Sequence, residues 1–184
     1  IFWFCYGANL TPEQRLAQFE SGLQLLEQIE CPLIVGDLPD GSSSVGGILG
    51  KQEMPDATTL ASCNARLADW AQKRSNVTVF PLAKVMAAAI ANAELTLGSM
   101  TWPQGKSRSL LQEDKLHPSR LGLAALAISV LESVAPSGAA TQAPLACVRR
   151  DLDMVCKQGI ALGTPPPKSQ VKGQELPASA SPSQ

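Results

Sequence analysis

The chain has neither an excess of basic residues nor a long apolar run, the features that would indicate nucleic-acid binding or a membrane span. Its 184 residues carry 15 basic and 16 acidic side chains, a formal charge of −1. Nucleic-acid binding normally needs a concentrated basic surface, so this balance argues against a nucleic-acid partner. No apolar run reaches the roughly 18 residues that a membrane span requires, and we expect no span. A hydrophobic content of 45% with 17% charged residues is instead typical of a globular domain with a core.

Histidine and paired cysteines are also scarce. His117 is the only histidine, and the five cysteines contain no C-x-x-C pair. This pattern fits neither a structural zinc site nor a disulfide framework, so no metal site is predicted. An odd, scattered set of cysteines is more typical of buried thiols in a reducing compartment, which favours the cytoplasm.

The composition divides the chain near residue 135. Residues 135–184 hold half of the 14 prolines, together with runs rich in alanine and serine. Such a segment has too little apolar surface to offset the entropy of ordering its backbone, so we predict a mostly disordered tail. Within it, residues 145–162 have an amphipathic pattern, which indicates either a transient helix or a helix that binds a partner. Residues 1–134 are predicted to form the folded domain.

Strands and helices alternate along residues 1–134. Short apolar runs predict buried strands over residues 1–6, 31–35 and 77–80. Helices are predicted to begin at Thr11-Pro12, at Thr58 or Thr59, and at Pro118, with a further helix over residues 84–93. A glycine-rich loop over residues 41–50 and a turn-rich loop over residues 98–113 connect them. This order predicts an α/β fold in which helices cover both faces of a parallel sheet.

Polar residues follow the predicted strands at their carboxyl ends, where ligands bind in such folds. They are Gly7-Ala8-Asn9 after the first strand and Gly36-Asp37 after the second, with Asp114 and His117 before the last helix. At a spacing of three, Asp114 can accept a hydrogen bond from one ring nitrogen of His117 and leave the other free as a base. Alternatively, Asp114 interacts only with the helix dipole, and His117 is a solvated residue at the helix start.

Two of these segments resemble blocks of the SGNH/GDSL family of serine ester hydrolases. Asp114-Lys115-Leu116-His117-Pro118-Ser119, followed by Gly122, is similar to the last block of the family, and Gly7-Ala8-Asn9 is similar to its Gly-x-Asn-Asp block. The resemblance covers residues 1–134 and implies a three-layer α/β/α sandwich, an SGNH/flavodoxin-like arrangement with a parallel sheet. It implies that Asp114 and His117 belong to a Ser-His-Asp triad and that Asn9 donates to the oxyanion. The substrate would be a small-molecule, lipid or sugar ester, and no cofactor would be needed.

The sequence departs from the family pattern at two places. Leu10 stands where the family has the Asp of Gly-x-Asn-Asp, and the Gly-Asp-Ser block with the nucleophile would lie before Ile1. We therefore expect this chain to be the carboxyl-terminal part of such an enzyme, without the first strands and inactive alone. Gly36-Asp37-Leu38 has leucine in place of serine and is interpreted as an ordinary turn. The serines at 42–44 lie in a glycine-rich loop rather than the tight turn that exposes a nucleophile.

Other interpretations remain beside this one. The loop over residues 98–113 either lines the substrate pocket through Trp102 or is a surface loop whose Trp102 packs against the domain. The chain as a whole is alternatively a non-catalytic α/β binding module that has lost the nucleophile. A flavodoxin-like phosphate binder is less favoured, because neither a Gly-x-Gly-x-x-Gly nor a Walker sequence is present.

Overall fold

The computed structural model describes residues 4–134, which form a mixed α/β fold. In chain order its elements are α1 (Pro12–Leu26), β1 (Leu33–Gly36), α2 (Ala57–Gln72), β2 (Val77–Phe80), α3 (Leu82–Ala91), β3 (Leu95–Leu97), β4 (Met100–Trp102) and α4 (Arg120–Val134). Short 3-10 turns at Ser42–Ser44, Lys51–Glu53 and Ser107–Leu110 shape the loops. The predicted tail, residues 135–184, lies outside the described residues.

Helix α1 begins where its sequence predicts. The Thr11 hydroxyl accepts a hydrogen bond from the N–H of Gln14, and the Gln14 side chain accepts one from the N–H of Thr11. Pro12 occupies the first turn, where its missing N–H is not needed. The helix buries Phe19 and Leu23 against α2.

Strands β1 and β2 form the predicted parallel pair, from Leu33 opposite Val77 to Gly36 opposite Phe80. The first of them spans Leu33–Gly36 and not the predicted residues 31–35. Successive residues of a strand point to opposite faces, and here they join different clusters. Val35 packs with residues of α1 and α2, whereas Ile34 packs with residues of α3 and α4. The parallel pair therefore lies between two hydrophobic clusters.

The predicted strand over residues 1–6 is wrong for the part that the structure describes. Phe4 and Cys5 lie in a turn and Tyr6 belongs to no strand, while residues 1–3 lie outside the described range. The apolar pattern has another cause: the side chain of Cys5 is fully buried in the cluster of α1 and α2. The Tyr6 hydroxyl donates to the carbonyl of Pro39 at 2.6 Å. Burial without strand pairing thus accounts for this run.

The predicted start of α2 at Thr58 or Thr59 is also wrong. The helix begins at Ala57 because Asp56 caps it, accepting hydrogen bonds from the N–H and the hydroxyl of Thr59. Helix α3 spans Leu82–Ala91 and not the predicted residues 84–93. It ends at Ala91 because Asn92 takes a left-handed conformation with φ of 51°.

Two corrections concern the segment that leads into the last helix. The predicted loop over residues 98–113 contains β4, which pairs with β3 in an antiparallel hairpin with Leu95 opposite Trp102. Helix α4 begins at Arg120 rather than Pro118, because Pro118 pairs with Leu111 in an extended bridge. The Ser119 hydroxyl then accepts from the N–H of Gly122 at 3.1 Å and caps the helix.

Within residues 4–134, no helix has both the length and the apolar character needed to cross a bilayer.

Candidate functional site

Asp114 and His117 are in direct contact. His117 Nδ1 lies 2.8 Å from Asp114 Oδ2, and the other carboxylate oxygen accepts the N–H groups of Leu116 and His117, each at 2.9 Å. The carboxylate is therefore held by the main chain on one side and by the imidazole on the other. This is the contact that the spacing of the two residues predicts.

The contacts of Asp114 favour its ionised form. Burial opposes ionisation, but hydrogen bonds from the Leu116 N–H and from the side chain and N–H of His117 outweigh it and lower the Asp114 pKa to about 2. The His117 side chain is 61% exposed, against 21% for Asp114. With Nδ1 bound to the carboxylate, Nε2 is the ring nitrogen that lies free of this contact.

A tight loop presents this Asp114–His117 pair ahead of α4. The N–H of Gln112 donates to the carbonyl of His117 at 2.9 Å, and the bridge between Leu111 and Pro118 closes the loop. Lys115 turns the chain at a φ of 59°, which lets His117 face back toward Asp114. The loop, rather than the helix itself, therefore positions the imidazole.

The loop over residues 41–50 packs beneath the pair. The Ser44 side chain is 3% exposed, and its hydroxyl donates to the main-chain carbonyl of Asp114 at 2.7 Å. Ser42 and Ser43 are exposed. The Ser44 hydroxyl is thus bonded to the main chain and not to the imidazole of His117. Ser44 therefore stabilises the main chain that carries Asp114.

Asn9 lies on a separate turn and makes no hydrogen bond to the Asp114–His117 pair. Its φ is 59°, its N–H donates to the carbonyl of Gln52 at 3.3 Å, and the residue is exposed. Trp102 is half-buried on β4 and packs against the cluster of α3 and α4. Of the residues to which the sequence assigned a catalytic, oxyanion or substrate role, the structure brings Asp114 and His117 into contact but not Asn9 or Trp102.

Gly36 ends β1, and Asp37, which follows it in an irregular segment and not in the predicted turn, ties this strand to α3. Asp37 accepts a hydrogen bond from the N–H of Ala83 at 2.6 Å, so it satisfies a donor in the first turn of that helix. Burial raises the Asp37 pKa, although the N–H groups of Ala83 and Leu82 act in the opposite direction. Its carboxylate is engaged within the fold.

Sequence reasoning missed two residues that hold the site's loops. The Tyr6 hydroxyl bridges the carbonyl of Pro39 and the N–H of Gly41 at 2.6 and 3.3 Å. Arg15 is 3% exposed and donates to the main-chain carbonyls of Cys5, Gln52 and Glu53. Arg15 precedes the buried Phe19 by one helical turn, a spacing that would have placed it on the inner face of α1.

Two cavities differ in what they can hold. The smaller is apolar, measures about 40 Å³ and lies between α3, α4 and the residues flanking His117. It has room for about one water molecule. The larger is a groove of about 960 Å³ between α2, α3 and the loop over residues 41–50, and Ser42, Ser43 and Lys51 line it. Neither Asp114 nor His117 lines the groove.

No group of three or more histidine, cysteine, aspartate or glutamate side chains within residues 4–134 is arranged to hold a metal ion. Comparisons of the chain with protein-family models, curated proteins and solved structures found no match.

Proposed function

We propose that this chain is the carboxyl-terminal part of an SGNH-type serine hydrolase that cleaves carboxylic esters. One observation carries the proposal: the imidazole of His117 is oriented by an ionised carboxylate and is otherwise exposed. A histidine held in this way is suited to accept a proton from a nucleophile and return it to a leaving group. The resemblance of this segment to the last block of the SGNH/GDSL family supports the same role.

The proposed reaction assigns one role to each residue. The serine hydroxyl attacks the ester carbonyl while its proton passes to Nε2 of His117, and Asp114 stabilises the imidazolium. Asn9 donates a hydrogen bond to the oxyanion of the tetrahedral intermediate. His117 then protonates the departing alkoxide, and water hydrolyses the acyl-enzyme by the same route.

The proposal places the nucleophilic serine before residue 1 in the full-length protein. Ser44 is unsuited to attack because its buried hydroxyl is bonded to the carbonyl of Asp114. We infer further that the complete domain is a three-layer α/β/α sandwich. The division of β1 side chains between the clusters of α1–α2 and α3–α4 supports that arrangement.

The test is a set of substitutions in the full-length protein, assayed on p-nitrophenyl acetate. We expect His117→Ala to lower kcat by about 1,000-fold or more, and Asp114→Asn by about 100-fold or more. Glu113→Gln is the matched control, because it removes a neighbouring exposed carboxylate outside the pair and should change kcat less than twofold. Undiminished turnover in His117→Ala would remove His117 from the mechanism.

A fluorophosphonate probe locates the nucleophile in the same protein. Attack by an activated serine forms an Oγ–P bond and expels fluoride. We expect labelling of one serine before residue 1, and its loss in His117→Ala. Labelling of Ser42, Ser43 or Ser44 instead would contradict the proposed position of the nucleophile.

The second candidate is a non-catalytic binding module. The groove of about 960 Å³ favours it, since this cavity is large enough for a small-molecule ligand and does not include the Asp114–His117 pair. The full-length wild-type protein would then neither hydrolyse esters nor react with the fluorophosphonate.

A further inference from the structure

Arg15 is a buried cation whose hydrogen bonds within residues 4–134 go to main-chain carbonyl groups. Its guanidinium donates to the carbonyls of Cys5 at 2.7 Å, Gln52 at 2.9 Å and Glu53 at 3.2 Å. No carboxylate of residues 4–134 lies within ion-pair distance of it. Burying an unpaired charge is costly unless its hydrogen bonds are well formed. The arrangement therefore fixes those three carbonyls firmly.

Two of the same carbonyls also hold the turn that carries Asn9. The carbonyl of Glu53 accepts the N–H of Gly7 at 3.1 Å, and the carbonyl of Gln52 accepts the N–H of Asn9 at 3.3 Å. Each of these oxygens thus receives one hydrogen bond from Arg15 and one from the turn. The third carbonyl, that of Cys5, lies at the beginning of the same segment.

The planar guanidinium suits this task better than an ammonium group does. Its N–H groups diverge in a fixed plane, so one side chain binds carbonyls on two separate segments at once. Lysine has the same charge but cannot reproduce that fork. Asn9 itself has a left-handed backbone, a conformation that neighbouring contacts must hold in place.

We propose that Arg15 is the positioning residue for Asn9, because it fixes the two carbonyl groups to which the turn of Asn9 is hydrogen-bonded. The inference rests on the proposed function, in which Asn9 donates to the oxyanion. An oxyanion donor acts only when it is aimed at the position where charge develops. Displacing the turn should therefore lower kcat and leave KM nearly unchanged.

A double-mutant cycle in the full-length protein tests the proposal. Arg15→Lys should lower kcat on p-nitrophenyl acetate about tenfold, with KM changed less than twofold. Asn9→Ala should lower kcat about 100-fold or more. In the Asn9→Ala background, Arg15→Lys should lower kcat less than twofold further, because no donor remains to be positioned. Arg66→Lys, at an exposed arginine on α2, is the matched control and should leave kcat unchanged.

A purely structural role for Arg15 gives a different pattern. Arg15→Lys would then lower kcat by the same factor in both backgrounds, and this outcome would overturn the inference. An unchanged kcat in Arg15→Lys, or in Asn9→Ala, would overturn it as well. If Arg15→Lys does not fold, Arg15→Gln replaces it, since a neutral amide has a smaller burial cost and retains two donors. Failure of the proposed function is separate: it appears as undiminished turnover in His117→Ala.

Discussion

At the scale of single residues, the ionised carboxylate of Asp114 organises the candidate site. Three groups donate to it or share a proton with it, and all of them lie within three residues along the chain. These donors are therefore set by the local sequence of the loop. The same contacts lower the Asp114 pKa to about 2 and couple its ionisation to folding.

Asp114 should therefore make stability depend on acid pH. Its folded-state pKa lies below its ordinary value of 3.8, so the contribution is fully present above about pH 4 and is lost as pH falls toward 2. Relative to the wild type, Asp114→Asn should lower the free energy of unfolding at pH 7 by about 1 kcal/mol at most, because solvent screens a pair whose imidazole is exposed. Urea unfolding between pH 7 and pH 2 should show this difference shrink.

Glu113→Gln serves as the control for that measurement. It removes one negative charge at an exposed position. The difference in the free energy of unfolding between Glu113→Gln and the wild type should stay nearly constant from pH 7 to pH 2. A wild-type advantage over Asp114→Asn that persists unchanged at pH 2 would contradict the role assigned to the carboxylate.

At the scale of elements, the start of α4 is set by its contact with the 3-10 turn at Ser107–Leu110. The carbonyl of Leu110 accepts the N–H of Ser119 at 2.8 Å. A Cβ on Gly122 would lie 2.0 Å from the same carbonyl oxygen. The helix can approach the turn this closely only because position 122 has no side chain. Because α4 is held against this turn and begins at Arg120, His117 lies in the loop just before the helix.

Gly122→Ala should consequently destabilise the protein. Helix propensity alone would favour alanine by about 1 kcal/mol. The clash is with main chain, which cannot rotate away, and overpacking of this kind costs about 1–3 kcal/mol. We expect a lower urea midpoint for Gly122→Ala. Gly47→Ala is the control, because its Cβ would lie 3.4 Å from the nearest atom and its midpoint should hardly change. A stabilised Gly122→Ala protein would show that the contact is absent.

At the scale of the whole molecule, the site depends on contacts between distant parts of the chain. The hydrogen bond from Ser44 to the carbonyl of Asp114 joins residues 70 positions apart. Tyr6 and Arg15 likewise tie the segment before α1 to the loops after β1. These bonds bring the loops at the carboxyl end of β1 together with the loop before α4.

Ser44→Ala tests the bond that supports the Asp114–His117 pair. It leaves a main-chain carbonyl without its partner in a site where Ser44 is 3% exposed, a change worth about 1–2 kcal/mol. Ser43→Ala, at the exposed neighbouring serine, should stay within about 0.5 kcal/mol of the wild type. Chemical denaturation of both variants measures the difference. Equal stability of the two would show that the Ser44 hydroxyl contributes nothing to the folded state.

Local signals predicted part of this structure. The capping box at Thr11 and Gln14, the strand at Val77–Phe80 and the contact between Asp114 and His117 all depend on residues near one another in the sequence. Where a local competitor was overlooked, the prediction was wrong by a few residues. Helix α2 begins one or two residues earlier than predicted because Asp56 caps it. Helix α4 begins two residues later than predicted because Pro118 pairs with Leu111.

The sequence by itself determined the α/β alternation and the pairing of one histidine with one carboxylate, because periodicity and capping act over a single turn or strand. Only the tertiary structure decided that residues 4–6 form no strand, that Ser44 donates to the carbonyl of Asp114, and which carbonyls Arg15 binds. Those outcomes depend on carbonyl groups that fall within reach only after distant segments have packed. No local pattern in the chain carries that information.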